Sequence, residues 1–327
     1  MQAKLICATS GLRLISDDSL VDFQEFLLTQ GDGIIKKNFA LDFEKILGIH
    51  SFSALRNNPY FFSNKTGQNH SELYEISNKS LATVQELIAF LWFVKDNSCN
   101  AHQLFAYLPE PEQVIFMDKV TNYSNCYGGF NEVQFSASEI VKAAKIMNAA
   151  KELSSANKYV KQQDYYKVEN IDPNTTMTFV HKLSYGLRNR VERAILFLLT
   201  ARQAAFKPMK ISLYMNILEC LFSDTSHGDI IHKISERAAF YIGDSFDSRM
   251  DIMRNIKNSY TLRSKYFHGQ KIDHKDYSDV VLSDMAREID GLMRAILTKV
   301  ITVNHKEFTD SDKNLNVFFN KMIFGRD

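Results

Sequence analysis

The chain has 327 residues, which is long for a single hydrophobic core and favours two domains. Hydrophobic residues make up 45% of the chain and charged residues 24%, the composition of an ordinary soluble globular protein. The formal net charge of +1 excludes a strong overall field that attracts nucleic acid, so any such binding has to come from a local basic face.

The cysteines are too widely scattered to form a recognisable site. They are Cys7, Cys99, Cys126 and Cys220. None belongs to a C-x-x-C pair, which disfavours a zinc site or a redox dithiol, and so few cysteines also disfavour a disulfide-stapled secreted protein. The N-terminus lacks the features of a signal peptide, and the apolar stretch 87–94 is far shorter than the roughly 20 residues that span a bilayer. We therefore expect a cytoplasmic protein without membrane contact.

The N-terminal half mixes strand-like and helix-like patterns. Short apolar runs at 5–8 and 114–117 and an alternating pattern at 133–135 predict strands. Helical spacing of apolar residues at 20–28 and at 80–95 predicts helices between them. We therefore interpret this half of the chain as an α+β domain.

A capped helix is predicted at the end of this α+β domain, which spans residues 1–153. Ser136 or Ser138 is a candidate N-cap for a helix that continues to the end of the domain. The Asn-rich stretches 56–70 and 121–131 show no strong periodicity, so we expect loops there.

The clearest domain boundary lies in the polar segment 154–177. This segment is poor in apolar periodicity and contains the turn-forming sequence Asp172-Pro173-Asn174. The residue before a proline avoids the helical conformation, so no helix is expected to run through Asp172. We expect 154–177 to be a linker between two domains.

Helical periodicity dominates after this linker, and residues 178–305 are predicted to form a helical bundle. Apolar residues recur at helical spacing in the first of its five helices, at Leu183, Leu187, Val191, Ile195 and Leu198. Pro208 suits the first turn of the second helix, and Asp229 and Gly243 suit the start and the end of the third. Two further amphipathic helices follow, and residues 306–327 are expected to be a C-terminal tail.

One phrase at the end of the fourth predicted helix has a specific pattern. Tyr260 is followed after two residues by Arg263-Ser264, and three residues later by His268-Gly269. A histidine at this distance from an arginine is the spacing found in a known group of ribonucleases. The flanking tyrosine, serine and glycine make the pattern more specific than the bare pair.

Two earlier segments accompany this phrase in a fixed order. The first is an apolar helix that carries Glu219, and the second is the helix at 234–243, which carries Arg237 and a terminal glycine. Together with the phrase at 260–269, these segments resemble the Apea-like branch of the HEPN superfamily. The resemblance covers residues 181–300 and is closest in the last three helices.

This resemblance implies a metal-independent endoribonuclease. In HEPN nucleases the arginine and the histidine form a composite site across a two-fold axis, which implies that Arg263 and His268 are catalytic in a homodimer that needs neither metal nor cofactor. The residues that the resemblance implies as supporting ones are Glu219, Arg237, Tyr260 and Ser264. Apea-like HEPN proteins are associated with bacterial defence against phage, which implies a toxin-like effector.

The chemistry of the two residues agrees with this role independently of the family. A histidine exchanges its proton near neutral pH, so His268 is suited to proton transfer during phosphodiester cleavage. RNA carries its own nucleophile, the 2′-hydroxyl, and Arg263 offers a permanently charged planar fork for the phosphate oxygens. The expected products are a 2′,3′-cyclic phosphate and a 5′-hydroxyl end.

The spacing of Arg263 and His268 sets a condition on where their helix ends. Five positions along a straight helix correspond to a rotation of about 140°, which would place the two side chains on different faces. Convergence therefore requires the helix to end near residues 266–268. Gly269 is the right residue for such an ending, because glycine readily adopts the left-handed conformation of a helix C′ position.

The same residues also have structural interpretations. Arg263 and His268 would stabilise the negative end of the helix macrodipole. Glu219 would pair with Arg237 or with Arg263 inside the bundle. Tyr260 would belong to the core, with its hydroxyl reaching the site.

Several basic residues are candidates for contacts with RNA phosphates. Those on the first predicted helix form a run that suits either phosphate binding or a solvated face: Lys182, Arg188, Arg190 and Arg193. Lys265 and Lys271 are further candidates because they flank the Arg263–His268 motif. His227, Asp229 and His232 lack the spacing of metal ligands.

We therefore expect a mainly helical protein with two parts. An α+β N-terminal domain would recognise a phage or host trigger, and a HEPN-type helical bundle would cleave RNA. One alternative is a non-catalytic HEPN module that binds RNA, a nucleotide or a protein partner. Another is a scaffold protein in which the bundle serves only as a dimerisation surface.

Overall fold

The computed structural model describes residues 1–15, 20–39, 43–110, 112–153, 189–224 and 229–325. Within these residues an N-terminal part built on an antiparallel sheet precedes a C-terminal part built from helices, so the fold is mainly helical. The predicted linker at 154–177 lies outside the described residues. So do Leu183 and Leu187 of the first predicted helix, and the basic residues Lys182 and Arg188.

The described N-terminal part contains eight strands. They are β1 (Gln2–Ser10), β2 (Leu12–Leu14), β3 (Val21–Phe23), β4 (Phe26–Thr29), β5 (Tyr60–Thr66), β6 (Asn100–Leu108), β7 (Gln113–Asp118) and β8 (Val133–Phe135). Six form one antiparallel sheet in the order β3-β4-β5-β1-β6-β7, and β2 pairs in parallel with β8. In the central strand β1, Leu5 pairs with Ser63 on one side and with Ala106 on the other.

Helices cover both faces of this sheet. They are α1 (Gly33–Asn38), α2 (Phe43–Leu47), α3 (Ile49–Asn57), α4 (His70–Phe90) and α5 (Ala137–Glu152), with a 3₁₀ turn at Leu91–Phe93. On one face, Phe39 and Phe43 pack against Tyr107 of β6. On the other face, α4 buries Leu81 and Val84 in the main core. The sheet is therefore buried on both faces, which is why residues 5–8 of its central strand are continuously apolar.

Most predictions for this part are confirmed. The three predicted strands lie in β1, β7 and β8, and the predicted helix at 80–95 corresponds to α4 and the 3₁₀ turn. Ser136 is the N-cap of α5, because its Oγ accepts from the backbone N–H of Glu139 at 3.2 Å. The carboxylate of Glu139 in turn accepts from the N–H of Ser136 at 2.9 Å, which completes a capping box.

The prediction of a helix at 20–28 is wrong, because β3 and β4 form a hairpin there. Phe23 pairs with Phe26, and the turn residue Gln24 has a φ of 51°. The tight turn contains neither glycine nor asparagine, which are the residues that normally signal such a hairpin. Without that signal, the apolar spacing of two short strands resembled one helix.

Of the two predicted loops, one is confirmed. Residues 121–131 form neither helix nor strand, although Ser124 and Asn125 within them are buried. The stretch 56–70 instead contains β5, which pairs with β1 and β4 and buries Phe61. Its strand character comes from pairing with distant strands, which the local composition did not reveal.

Seven helices form the described C-terminal part. They are α6 (Arg190–Gln203), α7 (Lys207–Phe222), α8 (Ile230–Ile242), α9 (Phe246–Phe267), α10 (Asp279–Thr302), α11 (His305–Thr309) and α12 (Asp312–Phe324). Pro208 lies in the first turn of α7, and Asp229 caps α8, so both predicted helix starts are confirmed. Gly243 ends α8 with a φ of −81°, and a Cβ there would lie 2.6 Å from the carbonyl oxygen of Ala239.

Residues 306–325 belong to the folded helical part, so the prediction of a C-terminal tail is wrong for them. Phe308 in α11 is fully buried and contacts the rings of Phe222 and Tyr241. Phe319 in α12 is also fully buried and contacts Phe222. These two short helices therefore close the end of the bundle at which α7 and α8 meet.

The N-terminal and helical parts share one hydrophobic core, so the expected separation into two domains is corrected. In this core, the indole Nε1 of Trp92 donates to the buried Asp290 of α10 at 2.8 Å. The fully buried guanidinium of Arg202 in α6 donates to the carbonyl oxygens of Ala89 at 2.8 Å and Asn97 at 3.1 Å. Because these charged groups are buried, loss of their partners from the other part would be strongly unfavourable.

Candidate active site

Helix α9 ends where Gly269 predicted that it would, within residues 266–268. The helix ends at Phe267, and the backbone N–H of His268 donates to the carbonyl oxygen of Ser264 at 3.0 Å. Gly269 has a φ of +65°, and the N–H of Gln270 returns to the carbonyl oxygen of Lys265 at 2.9 Å. This is a Schellman ending, which turns the chain sharply after His268.

Arg263 is held in a fixed position one turn before this ending. Its Nη2 donates to Asn216 Oδ1 at 3.1 Å, and its Nη1 lies 3.3 Å from Glu219 Oε1. The guanidinium also lies over the rings of Tyr260 and Phe267, with centroid distances of 5.7 and 5.5 Å. Of the two arginines proposed as partners for Glu219, the structure therefore pairs it with Arg263.

Tyr260 is a buried residue that supports the Arg263–Glu219 pair. Its hydroxyl donates to Glu219 Oε1 at 3.1 Å, and its side chain is buried. Burial raises the pKa of Tyr260 well above its usual range, and the nearby Glu219 carboxylate raises it further. The phenol therefore stays protonated at neutral pH and remains a hydrogen-bond donor to Glu219.

His268 is exposed and is not hydrogen-bonded to Arg263. Within the described part of the chain, no hydrogen bond or ion pair engages its imidazole. The structure thus brings Arg263 together with Glu219 and Tyr260, and leaves His268 exposed at the adjacent helix end. Ser264 is also exposed, and its carbonyl oxygen takes part in the helix ending.

A cleft of about 550 Å³ lies beside Arg263, between α6, α7, α9 and the start of α12. Its lining residues are Arg190, Arg193, Phe197, Asn216, Glu219, Cys220, Ser223, Asp224, Arg263 and Asp312. Four of the residues predicted from the sequence therefore line one cleft, although they come from three helices: Arg190, Arg193, Glu219 and Arg263. Phe197 and Asn216 were not predicted as site residues. Phe197 lies four positions after Arg193 and Asn216 three before Glu219, so a helical projection would have placed each on the same helix face as a predicted site residue.

Arg190 and Arg193 differ in how they are bound. The guanidinium of Arg190 donates to the carbonyl oxygens of Cys220 and Ser223 at 3.2 and 3.3 Å, and it also contacts Asp312. These contacts stabilise the C-terminal end of α7, so the expectation that Arg190 binds RNA is not supported by its geometry. Arg193 is exposed, and among the described residues no carboxylate lies within ion-pair distance of it.

The remaining predicted site residues lie away from the cleft. Arg237 is buried and donates to the carbonyl oxygen of Phe222 at 2.7 Å, to Asp224 and to Asn316, so its role is structural. The ammonium group of Lys265 lies over the ring of Tyr277 at 5.0 Å. Lys271 is exposed beyond the end of α9. The two lysines therefore flank His268 rather than line the cleft.

Comparisons of the chain with models of protein families, with curated proteins and with solved structures found no match. In the described part of the chain, no group of three or more His, Cys, Asp or Glu side chains is arranged to hold a metal ion. The described helices include none that is both long enough and apolar enough to cross a bilayer. His227, which was considered with Asp229 and His232 as a metal ligand, lies outside the described residues.

Proposed function

We propose that this protein is a metal-independent endoribonuclease of the HEPN type that acts in the cytoplasm. The observation that carries the proposal is the end of α9, where a Schellman turn exposes His268 and a rigidly held Arg263 lies one turn earlier beside a cleft. A free imidazole and a fixed guanidinium near one another are the groups that phosphodiester cleavage uses. The family resemblance of the same residues supports this proposal.

The proposed reaction needs only the substrate and protein side chains. The imidazole of His268 accepts the proton of a ribose 2′-hydroxyl, and the 2′-oxygen attacks the adjacent phosphorus. The bond from phosphorus to the 5′-oxygen of the next nucleotide breaks, and that oxygen takes a proton from an imidazolium. Arg263 stabilises the charge on the non-bridging phosphate oxygens. One fragment ends in a 2′,3′-cyclic phosphate and the other begins with a 5′-hydroxyl.

Glu219, Asn216 and Tyr260 are positioning residues in this proposal. A guanidinium has five N–H donors, and Asn216 and Glu219 accept only from its terminal nitrogens. The Nε of Arg263 is buried and has no hydrogen-bond partner in the described part of the chain. Arg263 is therefore oriented by its neighbours. Its buried Nε is not accessible to a phosphate, but its two terminal nitrogens carry four N–H donors for three contacts, which leaves a donor for the phosphate.

The proposal includes a symmetric homodimer through the helical part. A single histidine leaves one of the two proton-transfer roles unfilled, and His268 of a second copy would fill it. Exposed aromatic rings favour an interface at this end of α9, because Phe267 is 54% exposed and Phe206 is 58% exposed. Their rings both contact Tyr266, so they form one apolar surface next to His268.

The biological role that we propose is a bacterial anti-phage or toxin-like effector. Cleavage of cellular RNA harms the host, so such a protein needs control by a phage or host trigger. In the proposal the N-terminal part receives this trigger. The buried contacts of Trp92 and Arg202 between the two parts support a direct structural effect of such a trigger on the helices.

The decisive experiment measures cleavage of single-stranded RNA by purified protein in the presence of EDTA. We expect cleavage to continue without metal, and we expect His268→Ala and Arg263→Ala each to reduce the rate at least about 100-fold. End-group analysis should find cyclic phosphates. Light scattering on the same sample should give the mass of a dimer.

Matched control variants separate catalysis from general effects of lost charge. His274→Ala removes an exposed histidine six positions after His268, and Arg254→Ala removes an exposed arginine from the same helix as Arg263. Both should keep wild-type activity. Full cleavage by His268→Ala, or strict dependence on added magnesium, would contradict the proposed mechanism.

One observation favours a second candidate function. No hydrogen bond joins Arg263 and His268 in the single chain, so the same surface would also suit a module that binds RNA without cleaving it. Under this alternative, the protein binds single-stranded RNA, and the bound RNA stays intact over hours at every protein concentration.

A further inference from the structure

One wall of the cleft is a continuous face of α6. Arg190, Arg193 and Phe197 lie three and four positions apart, which places them on the same side of a helix. Arg190 is engaged with the end of α7 and with Asp312. The residues of this face that remain available to a ligand are therefore Arg193 and the half-buried Phe197.

The acidic residues of the cleft are already paired with basic ones. Asp312 contacts Arg190, and Glu219 contacts Arg263 at 3.3 Å. Asp224 is held by two basic residues that do not line the cleft, Lys233 at 2.8 Å and Arg237 at 3.0 Å. The lining has three arginines and three acidic residues, but Asp224 is neutralised by Lys233 and Arg237 from outside the lining. Among the described residues Arg193 has no carboxylate partner, so its charge remains available to an anionic ligand.

The cleft also contains a polar group contributed by α7. Asn216 of α7 lines the cleft and accepts from Arg263 through its Oδ1. No described residue accepts from its Nδ2, which is therefore free to donate to a ligand. These three groups suit the three parts of a nucleotide. The cation of Arg193 suits the phosphate, the ring of Phe197 suits the face of the base, and the amide of Asn216 suits the polar edge of the base.

We infer that this cleft holds one nucleotide of single-stranded RNA directly beside the scissile phosphate. Arg193 contacts the phosphate of that nucleotide, Phe197 stacks on its base, and Asn216 donates to the edge of the base. The inference rests on the proposed function, because it uses Arg263 as the shared boundary between this subsite and the reacting phosphate. A volume of about 550 Å³ accepts one unpaired nucleotide and excludes a duplex.

The test measures binding separately from cleavage. A fluorescent 2′-O-methyl RNA octamer lacks the nucleophile, so its dissociation constant reports binding to the full wild-type chain whether or not the protein is a nuclease. We expect Arg193→Gln and Phe197→Leu each to weaken binding about 10-fold or more. Arg193→Gln should also lower the salt dependence of binding by about one counterion, whereas Phe197→Leu should leave it unchanged.

Two control variants change residues of similar type outside the cleft. Leu196→Ala changes an exposed apolar residue of α6 outside the cleft, and Arg254→Gln removes an exposed arginine of α9. Both should bind the octamer like the wild type. Thermal unfolding of all four variants identifies any loss of fold, and Arg193→Lys should restore the salt dependence because it restores the charge.

The outcomes distinguish the subsite from the nuclease activity. Wild-type affinity of both Arg193→Gln and Phe197→Leu, in a protein that cleaves RNA, overturns the subsite and leaves the nuclease proposal standing. Weakened binding by both variants, in a protein that never cleaves, supports the subsite and removes the nuclease. Displacement of the octamer by free AMP or UMP at the same concentration as by RNA would identify a mononucleotide site and overturn the RNA assignment.

Discussion

Lys210 has no exposed surface, although it lies near the start of α7. Its ammonium group donates to Ser124 Oγ at 3.1 Å. The other titratable groups around it are Asp290, Arg202, Asp96 and Cys126. Burial lowers the pKa of Lys210 to about 8, because the charged form loses its hydration and the two carboxylates compensate only in part.

This lowered pKa predicts a rise of stability with pH. An unfolded lysine keeps its proton up to about pH 10.4, so between about pH 8 and that value the unfolded chain binds more protons than the folded one. The free energy of unfolding should therefore gain up to about 1.4 kcal/mol per pH unit from Lys210 in this window. Urea unfolding on either side of pH 8 should give a more positive change of the unfolding free energy with pH in the wild type than in Lys210→Met.

An exposed lysine provides the control for this prediction. Lys142→Met in α5 should retain the wild-type dependence, because that lysine is solvated in both states. Burial raises the pKa of all four cysteine thiols, that of Cys7 and Cys99 to about 12, so the thiols lower the free energy of unfolding as the pH rises above about 9. The contribution of Lys210 is therefore measured as the difference between the wild type and Lys210→Met. An equal pH dependence in Lys210→Met and wild type would show that Lys210 is not the source.

The sequence limits the partner of Glu219 to two arginines but does not decide between them. The sequence pattern left Arg237 and Arg263 as equal partners for this glutamate. The structure selects Arg263, because Arg237 is already satisfied by Asp224 and by Asn316, which lies 79 positions away. No local pattern contains that information, because it depends on how α12 folds back onto α8.

At the scale of elements, the loop at 121–131 of the N-terminal part packs against the helical part. The backbone N–H of Ser124 donates to the carbonyl oxygen of Arg202 at 2.7 Å. Gly128 has a φ of +81°, and a Cβ at this position would lie 1.9 Å from the carbonyl oxygen of Ala205. The loop therefore packs tightly on the junction between α6 and α7, directly before Phe206.

The close approach at Gly128 predicts a large effect of a single methyl group. Gly128→Ala should destabilise the protein by about 2 kcal/mol or more, because the left-handed backbone and the clash with Ala205 both disfavour a side chain. Thermal unfolding checks this. The matched control is Gly291→Ala on the exposed face of α10, where nothing lies within 4 Å. That variant should be about as stable as the wild type or up to about 1 kcal/mol more stable, since alanine favours helix.

Elements with local signals were predicted well, and elements stabilised by distant partners were not. The capping box of Ser136 with Glu139 and the Schellman ending at Gly269 depend on residues within one or two turns, so the sequence was sufficient to predict both helix ends. The hairpin at 20–28 has no turn signal, and α11 and α12 are held by buried rings of α7 and α8. For these elements, tertiary packing decides the structure.

At the scale of the whole molecule, the shared core predicts a single cooperative unfolding transition. The buried Asp290 accepts from Trp92 and from the Tyr214 hydroxyl, and Arg294 contacts both Asp290 and the backbone of Trp92. A fragment that begins near Pro173 would leave Asp290 without its indole donor and Arg202 without its backbone acceptors. We therefore expect that fragment to be insoluble or loosely packed, and calorimetry of the full chain to give equal calorimetric and van't Hoff enthalpies.

A point variant tests the same claim without removing chain. Trp92→Phe deletes the hydrogen bond to Asp290, so it should lower the unfolding temperature of the whole protein and keep one transition. Two separate transitions in either protein, or a well-ordered and dimeric fragment, would show that the helical part is an independent domain.

The hydrogen bond between Trp92 and Asp290 also implies a delay between the synthesis of its two partners. The two residues are 198 positions apart, and ribosomes add about 5–20 residues per second, so the partner of the indole appears on the order of ten to forty seconds later. During that interval the growing chain lacks α10. The carbonyl oxygens of Ala89 and Asn97 also lack their donor until Arg202 of α6 has been synthesised and has packed against them. For the ribonuclease proposed here, we expect chains still in synthesis to be inactive, because Arg263, His268 and the shared core are completed only late in this interval.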